Sequence, residues 1–249
     1  MMTEAPYVLY ASAVTIGFLH TLLGPDHYLP FVAMSRAGGW SLRRTLVVTL
    51  LCGVGHVMGS VAVGLVGLAV GVTLFKLERL ESARGEIAGW LLLAFGLVYF
   101  VWGIRRAIRN QPHTHCHVHA DGTIHAHQHV HAADHVHIHP KTRPRALTTD
   151  PSAAGDGTLT PWILFTIFVF GPCEPLIPLL LYPAAQGSTR TVVWVTILFG
   201  ITTLATMVAV VMLASMAVGK LPLVRAARFG HALAGFVVLA CGAAVTVGW

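Results

Sequence analysis

His20-Thr21-Leu22-Leu23-Gly24-Pro25-Asp26-His27-Tyr28-Leu29-Pro30 lies inside an apolar run, Tyr7–Met34. A helix crosses a bilayer with about 20 apolar residues, so the run is long enough. Its middle holds what such a run avoids: a proline, a carboxylate and two imidazoles. Proline inside a helix removes one amide donor and clashes with the carbonyl four residues back, so Pro25 is expected to free the carbonyl of Thr21. Unpaired backbone at membrane depth is tolerated only where protein or a water-filled cavity satisfies it. The stretch therefore reads as a broken membrane helix walling a polar site.

Composition agrees. Of 249 residues, 55% are hydrophobic and only 10% charged, and the mean hydropathy is +0.71. An ordinary soluble domain carries about 25% charged residues. A single soluble globule is excluded, and so is disorder over most of the chain. The net charge of +6 arises from 16 Lys and Arg against 10 Asp and Glu. Its placement reports orientation rather than nucleic-acid binding. The four Cys have no CxxC spacing, so no disulfide framework is read.

Five more apolar segments follow: Thr45–Phe75, Ile87–Ile108, Pro161–Pro183, Thr191–Val218 and Phe229–Gly248. The first, second and fifth of the six exceed the needed length, which implies tilt, a break or an appended helix. Met1–Pro6 has no basic residue, so the first segment is not read as a signal peptide. Arg36, Arg43, Arg44, then Arg105, Arg106, Arg109, Lys141, Arg143, Arg145, then Lys220, Arg225 and Arg228 fall in the odd-numbered connections. Lys76, Arg79, Arg84 and Arg190 fall in the even ones, where Glu78, Glu81 and Glu86 offset the first three. The positive-inside rule then puts the long third connection in the cytoplasm and both termini outside, as for a multi-pass protein of a bacterial-type inner membrane.

The opening stretch has an echo. Gly171-Pro172-Cys173-Glu174-Pro175-Leu176-Ile177-Pro178 repeats its punctuation at an offset of 147, and Gly53 meets Gly200 at the same offset. Gly89 and Gly96 meet Gly235 and Gly242 at an offset of 146. The expected fold is an all-α membrane protein of six helices, in two inverted three-helix repeats whose first helices are broken. Residues 1–109 form the first repeat, 110–160 a polar loop and linker, and 161–249 the second. Secondary transporters built this way carry their sites near the midplane on interrupted helices.

Ionisable groups inside spans are functional hypotheses by default. His20, Asp26 and His27 sit at the first break, and Cys173 and Glu174 at the second. His56 lies in the second segment on one helical face with Cys52 and Ser60. Thr202, Thr203 and Thr206 occupy the equivalent stretch of the fifth segment as hydroxyl-bearing partners. Imidazole, thiolate and carboxylate together fit a borderline divalent ion better than calcium or magnesium, which prefer oxygen shells. Cys241 reads as packing and His231 as structural; Cys52 and Cys173 are open between ligand and packing, with packing favoured for Cys52.

His20-Thr21-Leu22-Leu23-Gly24-Pro25-Asp26-His27, followed by Gly55-His56, resembles the NicO nickel/cobalt transporter family and its UreH-type relatives. These lie in a wider superfamily that includes the DsbD/CcdA and TauE/SafE proteins. The resemblance covers the first two spans well and the six-span plan loosely. It implies metal binding by His20, Asp26 and His27. Five residues separate His20 from Asp26, against four in the better-known nickel permeases, which leaves ion and direction open. The exporter branch also has a His-rich loop between spans. Gly171-Pro172-Cys173 with Pro175 is similar to the DsbD/CcdA thiol carriers. Those need one Cys per half, and here the first-half position is Asp26.

Eleven of the fifteen His lie between His113 and His139. They run His113, His115, His117, His119, then His125, His127, His129, His131, then His135, His137, His139. Alternation at period two puts each run on one side of a strand. Asp121-Gly122 is a turn signal. With metal bound, a three-residue loop, Asp121–Thr123, is expected to set His119 opposite His125 and His117 opposite His127; without metal the segment is expected to be disordered. Such tracts bind metal through neutral imidazole. Pro140–Thr160 reads as a flexible linker.

The expected function is secondary transport of nickel or cobalt, with zinc also open, and export as the favoured direction. The metal is cargo, a proton or another ion couples, and no prosthetic group, nucleic-acid partner or enzymatic activity is expected. The alternatives are a thiol-disulfide electron carrier, a small-anion (sulfite-like) exporter and a membrane metal store.

Overall fold

The computed structural model describes residues 5–109, 113–118, 124–129, 156–219 and 227–248. Among the described residues four helices are long and apolar enough to cross a membrane, consistent with an all-α membrane protein. Large apolar side chains such as Val66, Trp90, Val98 and Leu213 face outward from the long helices. In water that surface would carry a heavy hydrophobic penalty.

Helix α1 (Ala5–Leu23) stops at Gly24, and a 3-10 turn over Pro25–His27 leads into α2 (Leu29–Ala37). The first apolar run is thus broken at Pro25, as its proline requires. The next helix, α3 (Leu42–Val70), starts where the Ser41 hydroxyl accepts from the Arg44 amide at 3.2 Å. It ends at Gly71, whose φ of 72° supplies the left-handed cap that side-chain-bearing residues resist. Helix α4 (Leu74–Arg109) has 36 residues, about 54 Å at 1.5 Å per residue. The third span was expected to begin at Ile87. The helix starts thirteen residues earlier because Leu77, Glu81, Gly85, Ala88 and Leu92 form a continuous buried stripe. Glu78, Glu81 and Arg84 therefore belong to a helix, not to a loop.

In the second half, α5 (Asp156–Phe170) and α6 (Leu176–Ala185) flank a break at Gly171–Pro175. The helix α5 begins before Pro161, so the expected boundary at residue 160 falls inside it. Helices α7 (Thr189–Gly219) and α8 (Gly230–Thr246) complete the chain.

Packing is paired. Helix α4 lies along α8, α1 along α7, and α3 against both α5 and α7. Glycine lets the α4 and α8 backbones approach closely. A Cβ on Gly96 would collide with the Leu239 amide, and one on Gly242 with the Leu93 amide. One apolar cluster gathers Phe31, Met34, Cys52, Leu164, Phe168 and Met207. A second gathers Val57, Val61, Cys173, Leu176, Val195 and Phe199. The candidate site lies between the breaks that these clusters flank.

Strands β1 (His113–Val118) and β2 (Ile124–His129) form an antiparallel hairpin. His113 pairs with His129, His115 with His127 and His117 with His125. Histidine opposes histidine as expected, but the register is displaced by two residues from the one with His117 opposite His127. The expectation of a loop over Asp121–Thr123 falls on residues outside those described. Because side chains alternate with period two, a two-residue step keeps the same classes of residue opposed. The expectations for His119, His131, His135, His137 and His139, and for the linker up to residue 155, lie outside the described residues.

Candidate metal centre

Three chain segments bring three imidazoles together. His20 is in the last turn of α1, His27 closes the 3-10 turn, and His56 comes from the middle of α3. Their ligand nitrogens all lie within 4.8 Å of one another. The His20 and His27 rings meet edge to face with centres 4.7 Å apart. The His27 and His56 rings do the same at 5.1 Å. His20 and His56 are nearly parallel at 6.3 Å. An ion about 2.1 Å from each nitrogen tolerates nitrogen separations up to about 4.2 Å, so the cluster closes on one with small movements.

The proton positions favour this use. The His27 Nδ1 lies 3.1 Å from the Gly24 carbonyl and 3.3 Å from Asp26 Oδ1. Donation of Nδ1–H to these acceptors turns Nε2 into the lone-pair nitrogen, which is how a neighbouring carboxylate prepares a ligand. That Nε2 is buried without a hydrogen-bond partner among the described residues, and so are both nitrogens of His56. Buried polar atoms are paired in roughly 90% or more of cases. The His27 Nε2 and one nitrogen of His56 are lone-pair donors that a cation at the cluster satisfies. Asp26, His27 and His56 line a cavity of about 30 Å³ with Gly171 and Pro172. One water-sized particle needs about 10–15 Å³, so the cavity holds roughly two.

The paired glycines of the two breaks sit beneath these rings. A Cβ on Gly24 would lie 2.5 Å from the His27 Nδ1, and one on Gly171 3.0 Å from the His56 Nδ1. Only glycine lets the backbone come so close to an imidazole. The carbonyl of Phe168, which Pro172 frees from its helical donor, is taken by the Gly171 amide at 3.0 Å.

Cys173 is fully buried, with its Sγ 3.9 Å from the His20 Nε2. Its amide is shared between the Ser60 hydroxyl at 3.1 Å and Glu81 Oε2 at 3.2 Å. Ser60 in turn donates to Glu81 Oε2 at 2.8 Å. Arg84 pairs with Glu81 Oε1 and donates to the Val169 carbonyl at 2.8 Å. Helices α3 and α4 thus clamp the second break through one buried ion pair. Sequence reasoning missed both charges by placing them in a connection. The readable signal was the spacing of Glu81 four residues after Leu77 and four before Gly85. Arg84 thus reaches the second break, where Glu81 offsets its charge.

His20, Asp26, His27, His56 and Cys173 are brought together; Glu174 is not. It is exposed and lines a separate groove of about 530 Å³ with Glu78, Arg79 and Ser82. The reason is local: with the Cys173 amide captured by Glu81, the following side chain leaves the cluster. The carboxylate beside the second break is Glu81, from the first half. Cys52 packs with Phe31, Met34 and Met207, and Cys241 belongs to the same cluster. Thr203 and Thr206 are buried, and the Thr203 hydroxyl has no hydrogen-bond partner among the described residues. His231 pairs with the Tyr99 hydroxyl at 2.8 Å, away from the cluster.

No family model matches the chain, and neither does any curated protein or solved structure.

Proposed function

We propose that the chain is a multi-pass secondary transporter of a divalent transition-metal ion, nickel or cobalt first, working in an inner membrane in the export direction. His20, His27 and His56 would be the metal ligands, Asp26 the carboxylate that orients His27, and Cys173 a soft contribution from the second half. The observation that carries the reading is the convergence of three imidazoles, with the His27 Nε2 and both His56 nitrogens buried and without a hydrogen-bond partner among the described residues.

The six-span inverted repeat is part of the same proposal. Its support is the matched pairing of α1 with α7 and of α5 with α3, together with the glycines at corresponding places on α4 and α8. A site between two broken helices suits alternating exposure of its ion, with a proton as the coupling partner. The His-rich segment would collect metal on the cytoplasmic side.

The test is metal flux in vesicles of known sidedness, across nickel, cobalt, zinc and copper. Flux of one or more ions that falls at least about tenfold in His27→Ala and His56→Ala is expected, by loss of a ligand or its support. Flux equal in the wild type and both variants would overturn the reading.

A further inference from the structure

A second cavity shares no lining residue with the one beside the imidazole cluster and lies where α2, α4 and the starts of α3, α5 and α8 meet. Its volume is about 580 Å³. Trp40, Arg44, Tyr99, Trp102, Arg106 and His231 supply its polar and aromatic lining. The Arg44 guanidinium stands over the Trp40 ring at 5.0 Å, and that of Arg106 over Trp102 at 5.2 Å. Tyr99 holds His231 by its hydroxyl, and the Trp102 ring meets His231 at 5.0 Å, nearly perpendicular.

Four features identify the ligand class. A guanidinium stacked on an aromatic face keeps its charge and presents a planar set of N–H donors suited to phosphate oxygens. Indole and phenol rings are enriched at the headgroup level of a membrane. Arg36, Arg43, Arg105, Arg109 and Arg228 lie at the same end of the bundle, whereas Glu78, Glu81 and Glu86 lie in the first half of α4 and Asp26 and Glu174 at the breaks. Beside the charged part, Leu159 and Ile163 extend the lining as an apolar, largely exposed strip along α5. A phosphate next to a strip for hydrocarbon is the chemistry of a phospholipid.

We infer that this cavity is a binding site for an anionic phospholipid, its phosphate on Arg44 and Arg106 and its acyl chain along Leu159 and Ile163. The inference is independent of what the imidazole cluster carries. It places a lipid contact between α3, α4 and α8, at the junction where α4 runs out towards the histidine hairpin.

The full chain is reconstituted in nanodiscs of mixed phosphatidylglycerol and phosphatidylcholine, and the lipid retained on extraction is counted by native mass spectrometry. The wild type is expected to retain phosphatidylglycerol preferentially. Each basic side chain near the surface contributes about fivefold, so Arg44→Gln/Arg106→Gln should reduce the preference by about 30-fold. The single variants Arg44→Gln and Arg106→Gln should each lose about fivefold, which keeps the test alive should the pair not fold. Arg79→Gln and Arg190→Gln, at the other end, should retain the preference. No preference in the wild type, or one unchanged in the variants, overturns the inference. Inorganic phosphate provides the remaining arm: if it binds to protein in pure phosphatidylcholine nanodiscs while phosphatidylglycerol is not preferred, the site takes a free anion and the lipid assignment falls.

Discussion

The backbone amide of Cys173 donates to the carboxylate of Glu81 across 3.2 Å, between positions 92 residues apart in sequence. A helix break in a low-dielectric surround leaves backbone donors to be satisfied, and here a charged acceptor does it. Glu81 is fully buried and holds three donors at once, from Ser60, Arg84 and Cys173.

Removing one partner of a buried pair leaves the other uncompensated, which costs about 3–5 kcal/mol. Glu81→Gln is therefore expected to destabilise the protein strongly and to loosen the Cys173 backbone. Thermal unfolding in detergent measures the first, and hydrogen exchange at residues 171–175 the second. The double variant Glu81→Gln/Arg84→Met removes both charges and should recover part of the loss. A Glu81→Gln protein as stable and as protected as the wild type would dispose of the clamp.

Gly171→Ala tests the second break from its other side. The new methyl would sit 3.0 Å from the His56 Nδ1 and 3.1 Å from the Phe168 carbonyl. Overpacking of this kind costs about 1–3 kcal/mol, and the flexible partner here is the imidazole. Metal affinity is expected to fall more than stability, because the ring moves before the backbone does. Isothermal titration with nickel and a melting curve on the same sample separate the two. Gly187→Ala does not serve as a control, since its φ of 70° strains any side chain.

Legibility in the sequence differs from residue to residue. The first break is legible because Pro25 cannot continue a helix and Asp26 cannot lie idle in lipid. The candidacy of His20, His27 and His56 is legible as a set, since the first two flank one break in an apolar run and the third stands alone in the next. Glu81 is not, because a charge near a span end reads as a loop until the helix is known to start at Leu74. Glu174 errs in the other direction. Its adjacency to Cys173 places it at the break, but adjacent residues at a turn face different ways, and no sequence pattern states which one turns inward.

That contrast can be measured directly. Asp26→Asn removes the carboxylate 3.3 Å from the His27 Nδ1, and loss of such a supporting partner lowers metal affinity about 10–100-fold. Glu174→Gln, on an exposed carboxylate in a separate groove, is expected to leave affinity unchanged within about twofold, as surface substitutions away from a site generally do. Equilibrium binding of nickel or cobalt to both proteins decides it. Equal losses would return Glu174 to the ligand set.

The histidine hairpin yields a prediction about register and pH together. Cys116 lies opposite Ala126 here, whereas the register expected from a three-residue loop sets Cys116 opposite Gln128. Cross-strand backbone contacts in an isotope-labelled sample distinguish the two, and the Cys116–Ala126 contact is expected. Neutral imidazole is the metal-binding form, so occupancy of the hairpin should be high above about pH 6.5 and decline as pH falls through that value. Deletion of Gln111–Thr149 should abolish this pH-dependent fraction while leaving flux through the buried cluster with altered apparent affinity. A metal store would instead lose its entire function on that deletion, because a lone membrane cluster holds too few ions to act as a reservoir. The comparison of bound metal and vesicle flux in one deletion variant therefore separates storage from transport.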